Sequence, residues 1–100
     1  MKTREELGYD VHVLVCVNER PSRSCCANVA GGDIFLALKR WVAESGLTRR
    51  VWVTKTGCLG FCNDTGANVV LYPAGHWFLH TTSANTNVVV EEIRRQLLAR

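Results

Sequence analysis

Five cysteines fall in three groups: Cys16 at the end of an apolar run, the adjacent pair Cys25–Cys26 in the loop beyond it, and Cys58 with Cys62 in the stretch TGCLGFC. Each group lies where an apolar segment gives way to a glycine-rich or polar turn, or within that turn. Such placement lets a chain gather thiolates from distant positions around one centre. Thiolates are soft, negatively charged ligands that select iron–sulfur clusters, zinc or copper(I) over hard cations. The spacing narrows this further. Cys58-x3-Cys62 is not the two-residue gap of a thioredoxin dithiol or of most zinc ribbons. Gly57 and Gly60 open a wider loop whose sulfurs can still meet on one iron. Four thiolates, two to each iron, are the normal complement of a [2Fe–2S] cluster. The division that fits is Cys16 with Cys26 on one iron and Cys58 with Cys62 on the other, with Cys25 the alternative to Cys26.

The elements that must position these sulfurs follow from patterning. Residues 11–17 (VHVLVCV) form a valine-rich apolar run, as for a strand covered on both faces. Residues 18–32 carry proline, serine and two glycines and read as a loop. A helix is expected over 33–45, because Ile34, Phe35, Leu38, Trp41 and Val42 make one apolar stripe while Lys39, Arg40 and Glu44 face away. Gly46 is its stop. Residues 50–55 alternate as a strand, and 56–67 form a second loop. Strands over 68–72 and 76–80 flank Pro73-Ala74-Gly75, a hairpin signal. The segment 82–87 offers caps for a last helix over 87–99, where Glu91 and Glu92 precede Arg94 and Arg95 in the order a helix dipole favours.

The order β-α-β-β-β-α implies an open α/β sandwich, with a mixed four-stranded sheet and two helices. The crossover makes the first two strands parallel. Loops leaving their C-terminal ends share one rim, so Cys16 and Cys58 should emerge together. One hundred residues with 47% hydrophobic content suit a single domain over 1–100, with 1–10 a frayed segment. A core of that size would gain noticeably from a metal staple joining its loops.

Composition excludes other classes. The polar N-terminus leads into no stretch long enough for export or for a membrane span, so the cytoplasm is the expected compartment. There, clustered cysteines hold metal or do redox chemistry more often than they form structural bridges. The odd cysteine count would also leave one thiol over in any set of intramolecular disulfides. A net charge of +3 is a mild excess, well short of a nucleic-acid tail, and would attract an acidic partner surface. Trp41 lies on the apolar helix stripe. Trp52 and Trp77 suit core or a dimer interface better than base stacking. His12, His76 and His80 lie outside the cysteine loops, and His12 is more than about 10 Å along its strand from Cys16. A Rieske-type pairing of two histidines with two cysteines is therefore disfavoured. A structural four-cysteine zinc domain and a thiol enzyme using Cys25 or Cys62 stay open as rivals.

Four motifs in order resemble the thioredoxin-like [2Fe–2S] ferredoxins, a family that itself resembles the cluster-bearing small subunit of the respiratory NADH dehydrogenase. They are Val-Cys-x-Asn-x-Arg-Pro at 15–21, Cys-Ala ahead of a glycine at 26–31, Thr-Gly-Cys-Leu-Gly-x-Cys at 56–62, and Val-Val-x-Tyr-Pro-x-Gly-x-Trp at 69–77. Together they span about residues 11–98. The resemblance implies a thioredoxin-type fold without dithiol chemistry, one [2Fe–2S] cluster near the surface, homodimers, and one-electron transfer between redox proteins. It also implies Cys16, Cys26, Cys58 and Cys62 as ligands, Cys26 being preferred because Ala27 follows it as in the family. Two departures stand out. The loop before the second ligand is short, only Ser22-Arg23-Ser24 separating Arg20-Pro21 from Cys25. Asp64-Thr65-Gly66-Ala67 stands where relatives often carry Gly-Pro. Carrier, sensor and cluster-delivery roles share this chemistry.

Overall fold

The structure, a computed structural model, describes residues 7–17, 31–57, 59 and 67–99. Strand β1 (Val11–Cys16) occupies the middle of the sheet, parallel to β2 (Val51–Thr56) on one side and antiparallel to β3 (Ala67–Tyr72) on the other. Strand β4 (His76–Thr81) runs antiparallel to β3, giving the order β2-β1-β3-β4. Helix α1 (Gly31–Glu44) connects the parallel pair, and helix α2 (Thr86–Leu98) closes the chain after a short 3-10 turn at Ser83–Asn85. This is the mixed four-stranded sheet with two helices that patterning predicts, with boundaries moved by one or two residues.

Period-two alternation decides which face is core. Val11, Val13 and Val15 are fully buried, as are Val69 and Leu71 of β3, and Val51 and Val53 are nearly so. These positions share one hydrophobic cluster with Ile34, Leu38 and Val42 of α1 and with Val89, Val90, Ile93 and Leu97 of α2. Both helices therefore cover the same face of the sheet. Each such side chain contributes about 1.5–3 kcal/mol by leaving water. The i, i+4, i+8 stripe of α1 is the one read from sequence, with Phe35 and Trp41 half-buried at its flanks. Gly46, at a φ of 68°, ends the helix in the left-handed region that a side chain resists.

The opposite face carries His12 and Leu14 of β1, Trp52 and Thr54 of β2, and Tyr72 and Trp77 of β3 and β4, whereas Cys16 at the end of β1 joins the core cluster. Neither α1 nor α2 covers this opposite face. Tyr9 packs against Trp52 and His12, ring centroids 4.8 and 5.3 Å away. Asp10 donates its N–H to the Arg50 carbonyl at 2.8 Å and accepts from Arg50 Nε at 2.7 Å, so both residues leading into β1 are tied down. Residues 1–6 of the segment expected to fray lie outside the described residues.

The hairpin turns at Pro73-Ala74-Gly75, where Gly75 has a φ of 72° and donates to the Leu71 carbonyl. Before α2, Asn85 Oδ1 accepts from the Thr82 N–H at 3.2 Å and from its hydroxyl at 2.9 Å. Along α2 the acid-then-base order becomes two i, i+3 pairs, Glu91–Arg94 at 2.9 Å and Glu92–Arg95 at 2.6 Å.

Candidate metal centre

The register of the parallel pair places Cys16 and the start of the second cysteine loop. Cys16 is the last residue of β1 and lies directly beside Thr56, the last residue of β2. The ladder continues one step further, Val17 donating its N–H to the Thr56 carbonyl at 3.0 Å. Cys58 follows Thr56 by two residues, a reach of about 7 Å of extended chain. The strand ends thus bring Cys16 and the start of the second cysteine loop to one rim. The described neighbours of position 58 agree: Gly57 is exposed, and Leu59 packs against the core. Thr56 Oγ1 donates to the Gly57 carbonyl at 2.9 Å as the strand gives way to the turn.

Cys16 itself is a free thiol, 2% exposed. Its backbone pairs with Thr56 of β2, one step beyond the last β1–β3 pair, Val15 with Val69. Cys26, Cys58 and Cys62, with the alternative Cys25, lie outside the described residues. Among the described residues no three His, Cys, Asp or Glu side chains converge as a metal site.

Helix α1 adds a field to this rim. The Lys55 ammonium, near the C-terminal end of β2, sits over the Phe35 ring in the second turn of α1, 5.4 Å from its centroid. Further along, Val42 and Ala43 share a cleft with Val51 and Trp52 at the start of β2. The helix therefore runs opposite to β2 and points its N-terminus at the rim, with its unbonded N–H groups and positive dipole end. Negative charge held there is stabilised.

The histidines are engaged elsewhere. His12 Nε2 and Thr54 Oγ1 share a hydrogen bond of 2.8 Å, and the ring meets Trp52 edge-on at 6.0 Å. Burial pushes its pKa below the ordinary value, so it stays neutral at neutral pH. His76 stacks on Phe78 at 4.6 Å with its Nδ1 3.8 Å from Glu92. His80 lies on β4. The expectation that 11–17 is a strand covered on both faces fails on one side: His12 and Leu14 are only half-buried, because both helices pack on the other face. The missing helix between β2 and β3 was the available signal, since a second layer needs an element to make it.

No family model and no curated protein matches the chain. Solved structures do. The chain belongs to the thioredoxin-like [2Fe–2S] ferredoxins. It is similar to the wild-type thioredoxin-like [2Fe–2S] ferredoxin from Aquifex aeolicus, with 30% identity, 84% of each chain covered and a TM-score of 0.74. A second structure of a thioredoxin-like [2Fe–2S] ferredoxin from that organism gives 30% identity over 84% of this chain and 79% of the other, with a TM-score of 0.73. A cysteine-to-serine variant gives 29% identity over 82% and 84%, with the same TM-score.

Proposed function

We propose that this chain is an electron carrier that shuttles single electrons between redox proteins. Its cofactor is a [2Fe–2S] cluster, in keeping with the family to which the chain belongs. The ligand set is Cys16, Cys26, Cys58 and Cys62, and the whole of 1–100 is one domain of this kind. The observation that carries the reading is the pairing of Cys16 with Thr56, which aligns the first cysteine with the turn holding the third. The donor chemistry fits too, since a buried free thiol at a strand end is preorganised to act as a soft ligand.

When bound, the cluster supplies a one-electron redox couple. The protein's residues do the rest. The ladder to β2 holds Cys16 beside Thr56, so little reorganisation accompanies a change of charge. The N-terminal turn of α1 and Lys55 offset added negative charge and raise the potential. Leu59, half-buried beside the third ligand position, limits water there. Catalysis is no part of this role.

The open face of the sheet supports a homodimer: Tyr72 and Trp77 are each 38% exposed and Leu79 43%, an apolar aromatic surface of the kind interfaces use. No helix among the described residues is long and apolar enough to cross a membrane, and we assign the protein to the cytoplasm, where its thiols stay reduced.

The test is anaerobic purification followed by iron and acid-labile sulfide analysis, a visible spectrum and EPR of the dithionite-reduced protein. Two irons and two sulfides per chain, with red-brown absorption bleached on reduction, support the carrier. A colourless, zinc-loaded protein that refuses reconstitution with iron and sulfide overturns it.

A further inference from the structure

Two lysines converge on one aromatic ring at the flank of the rim. The Lys55 ammonium lies 5.4 Å and the Lys39 ammonium 6.0 Å from the Phe35 centroid, so the charges are no further apart than those distances together. Both residues are exposed, and among the described residues neither takes part in an ion pair. Three described carboxylates are committed elsewhere: Asp10 to Arg50, Glu91 to Arg94 and Glu92 to Arg95. At about 100° per residue, Leu36 falls beside Lys39 on α1, whereas Asp33, Arg40 and Glu44 share the strip beyond it. Leu36 is 61% exposed. The result is a strip on which two ammonium groups share the Phe35 ring and the exposed Leu36 lies next beyond Lys39. It lies close to the rim. Lys55 is opposite Val15 in the β1–β2 register, one step from the Cys16–Thr56 pair.

We propose that Phe35, Leu36, Lys39 and Lys55 form the docking surface for an acidic redox-protein partner, whose carboxylates bridge the two ammonium groups while its apolar surface meets Leu36. This rests on the electron-carrier reading and deepens it by naming the partner's chemistry. Charge complementarity sets the choice: the net charge of +3 and two lysines with no ion pair among the described residues repel a basic partner and steer an acidic one toward the rim.

The experiment uses the cluster-loaded protein, reduced with dithionite and freed of excess reductant, with ferric cytochrome b5, an acidic haem protein, as probe and electron acceptor. It measures both equilibrium binding and the rate of haem reduction at low and high salt. Lys39→Glu and Lys55→Glu are compared with Arg49→Glu. That control makes the same net-charge change in the turn before β2, at the end of the strand away from the rim. Each lysine variant is expected to lower affinity and rate about threefold or more at low salt, with the difference shrinking at high salt, and Arg49→Glu less than about twofold. Equal effects from all three variants, or none, overturn the docking surface. Binding that obeys the charge pattern without any haem reduction leaves the surface standing and refutes the electron-carrier reading instead.

Discussion

Replacing Cys16 by alanine separates a ligand from a core residue by size of effect. The side chain is 2% exposed and belongs to the core cluster, so its sulfur has a packing value whatever else it does. Deleting one buried heavy atom of that size costs about 1 kcal/mol, by analogy with shortening a buried isoleucine to valine. In a domain of this length, that lowers the melting temperature by about 4–8 °C. A group that binds the folded chain alone adds RT ln(1 + [L]/Kd), about 4 kcal/mol when present at a thousand times its dissociation constant. The wild type and Cys16→Ala should therefore differ by about 1 kcal/mol as iron-free proteins. The gap should widen to about 5 kcal/mol, or several tens of degrees, once iron and sulfide are restored. The assay is denaturant unfolding of both proteins with and without anaerobic reconstitution, alongside iron and sulfide counts. A variant that still holds two irons and two sulfides with an unchanged spectrum, or a gap that ignores iron, would refute the reasoning.

Cys26→Ala should abolish the visible chromophore and the EPR signal of the reduced protein, whereas Cys25→Ala should leave both nearly intact; the reverse outcome reassigns the second ligand. His12 has a folded pKa below its ordinary 6.5, so the unfolded chain binds its proton more readily. Its protonation costs the fold nothing well above pH 6.5. The cost grows as pH falls through 6.5 and levels off below the folded value. His12→Gln should flatten that part of the stability–pH curve, measured by urea unfolding between pH 5 and 8, and an unaltered curve would show that the buried ring is not its source. The Arg95 guanidinium, hydrogen-bonded to Glu92 at 2.6 and 2.8 Å, holds that carboxyl below its usual range despite the cost of burial, with Gln96 adding a bond at 3.1 Å. Its stabilisation is present above about pH 4.5 and is lost as pH falls through the folded value. Glu92→Gln should cost only about 0.5–1 kcal/mol at pH 7, since Arg95 is largely exposed, and should flatten the acid limb in a thermal melt.

The residues that made the fold legible are those whose partners are local in pattern. Ile34, Leu38 and Val42 declare a helix by spacing alone, and Val11, Val13 and Val15 declare one face of a strand. The rim was legible for the same reason: once a helix separates two strands, their C-terminal ends fall together, and Cys16 beside Thr56 follows. What was not legible depends on three-dimensional neighbours. Lys39 reads as a solvated charge on the polar side of a helix, and Lys55 as a lone charge beside a cysteine loop. Only the packing of α1 against β2 brings both to the Phe35 ring. His12 likewise reads as strand surface, because the enclosure that shifts its pKa comes from Tyr9, just before the strand, and from Trp52, forty residues away.

That both helices lie on one face has a consequence for how the protein can work. A sheet covered on both sides buries its strand ends and needs loops to lead any centre outward. Among the described residues neither α1 nor α2 covers the face that carries His12 and Leu14, while Cys16 at the strand end packs with the core cluster and α1 aims its N-terminus at the same rim. The positive field and the apolar core thus approach the centre from the helix side, and Tyr72, Trp77 and Leu79 remain available on the open side. Partner docking through the flank of α1 and self-association through the open face consequently use different surfaces. A dimer would keep both of its rims accessible, so raising the protein concentration should leave the second-order rate per cluster with an acidic partner unchanged. A rate per cluster that falls as the dimer forms would place the two contacts on one surface and break this division of faces.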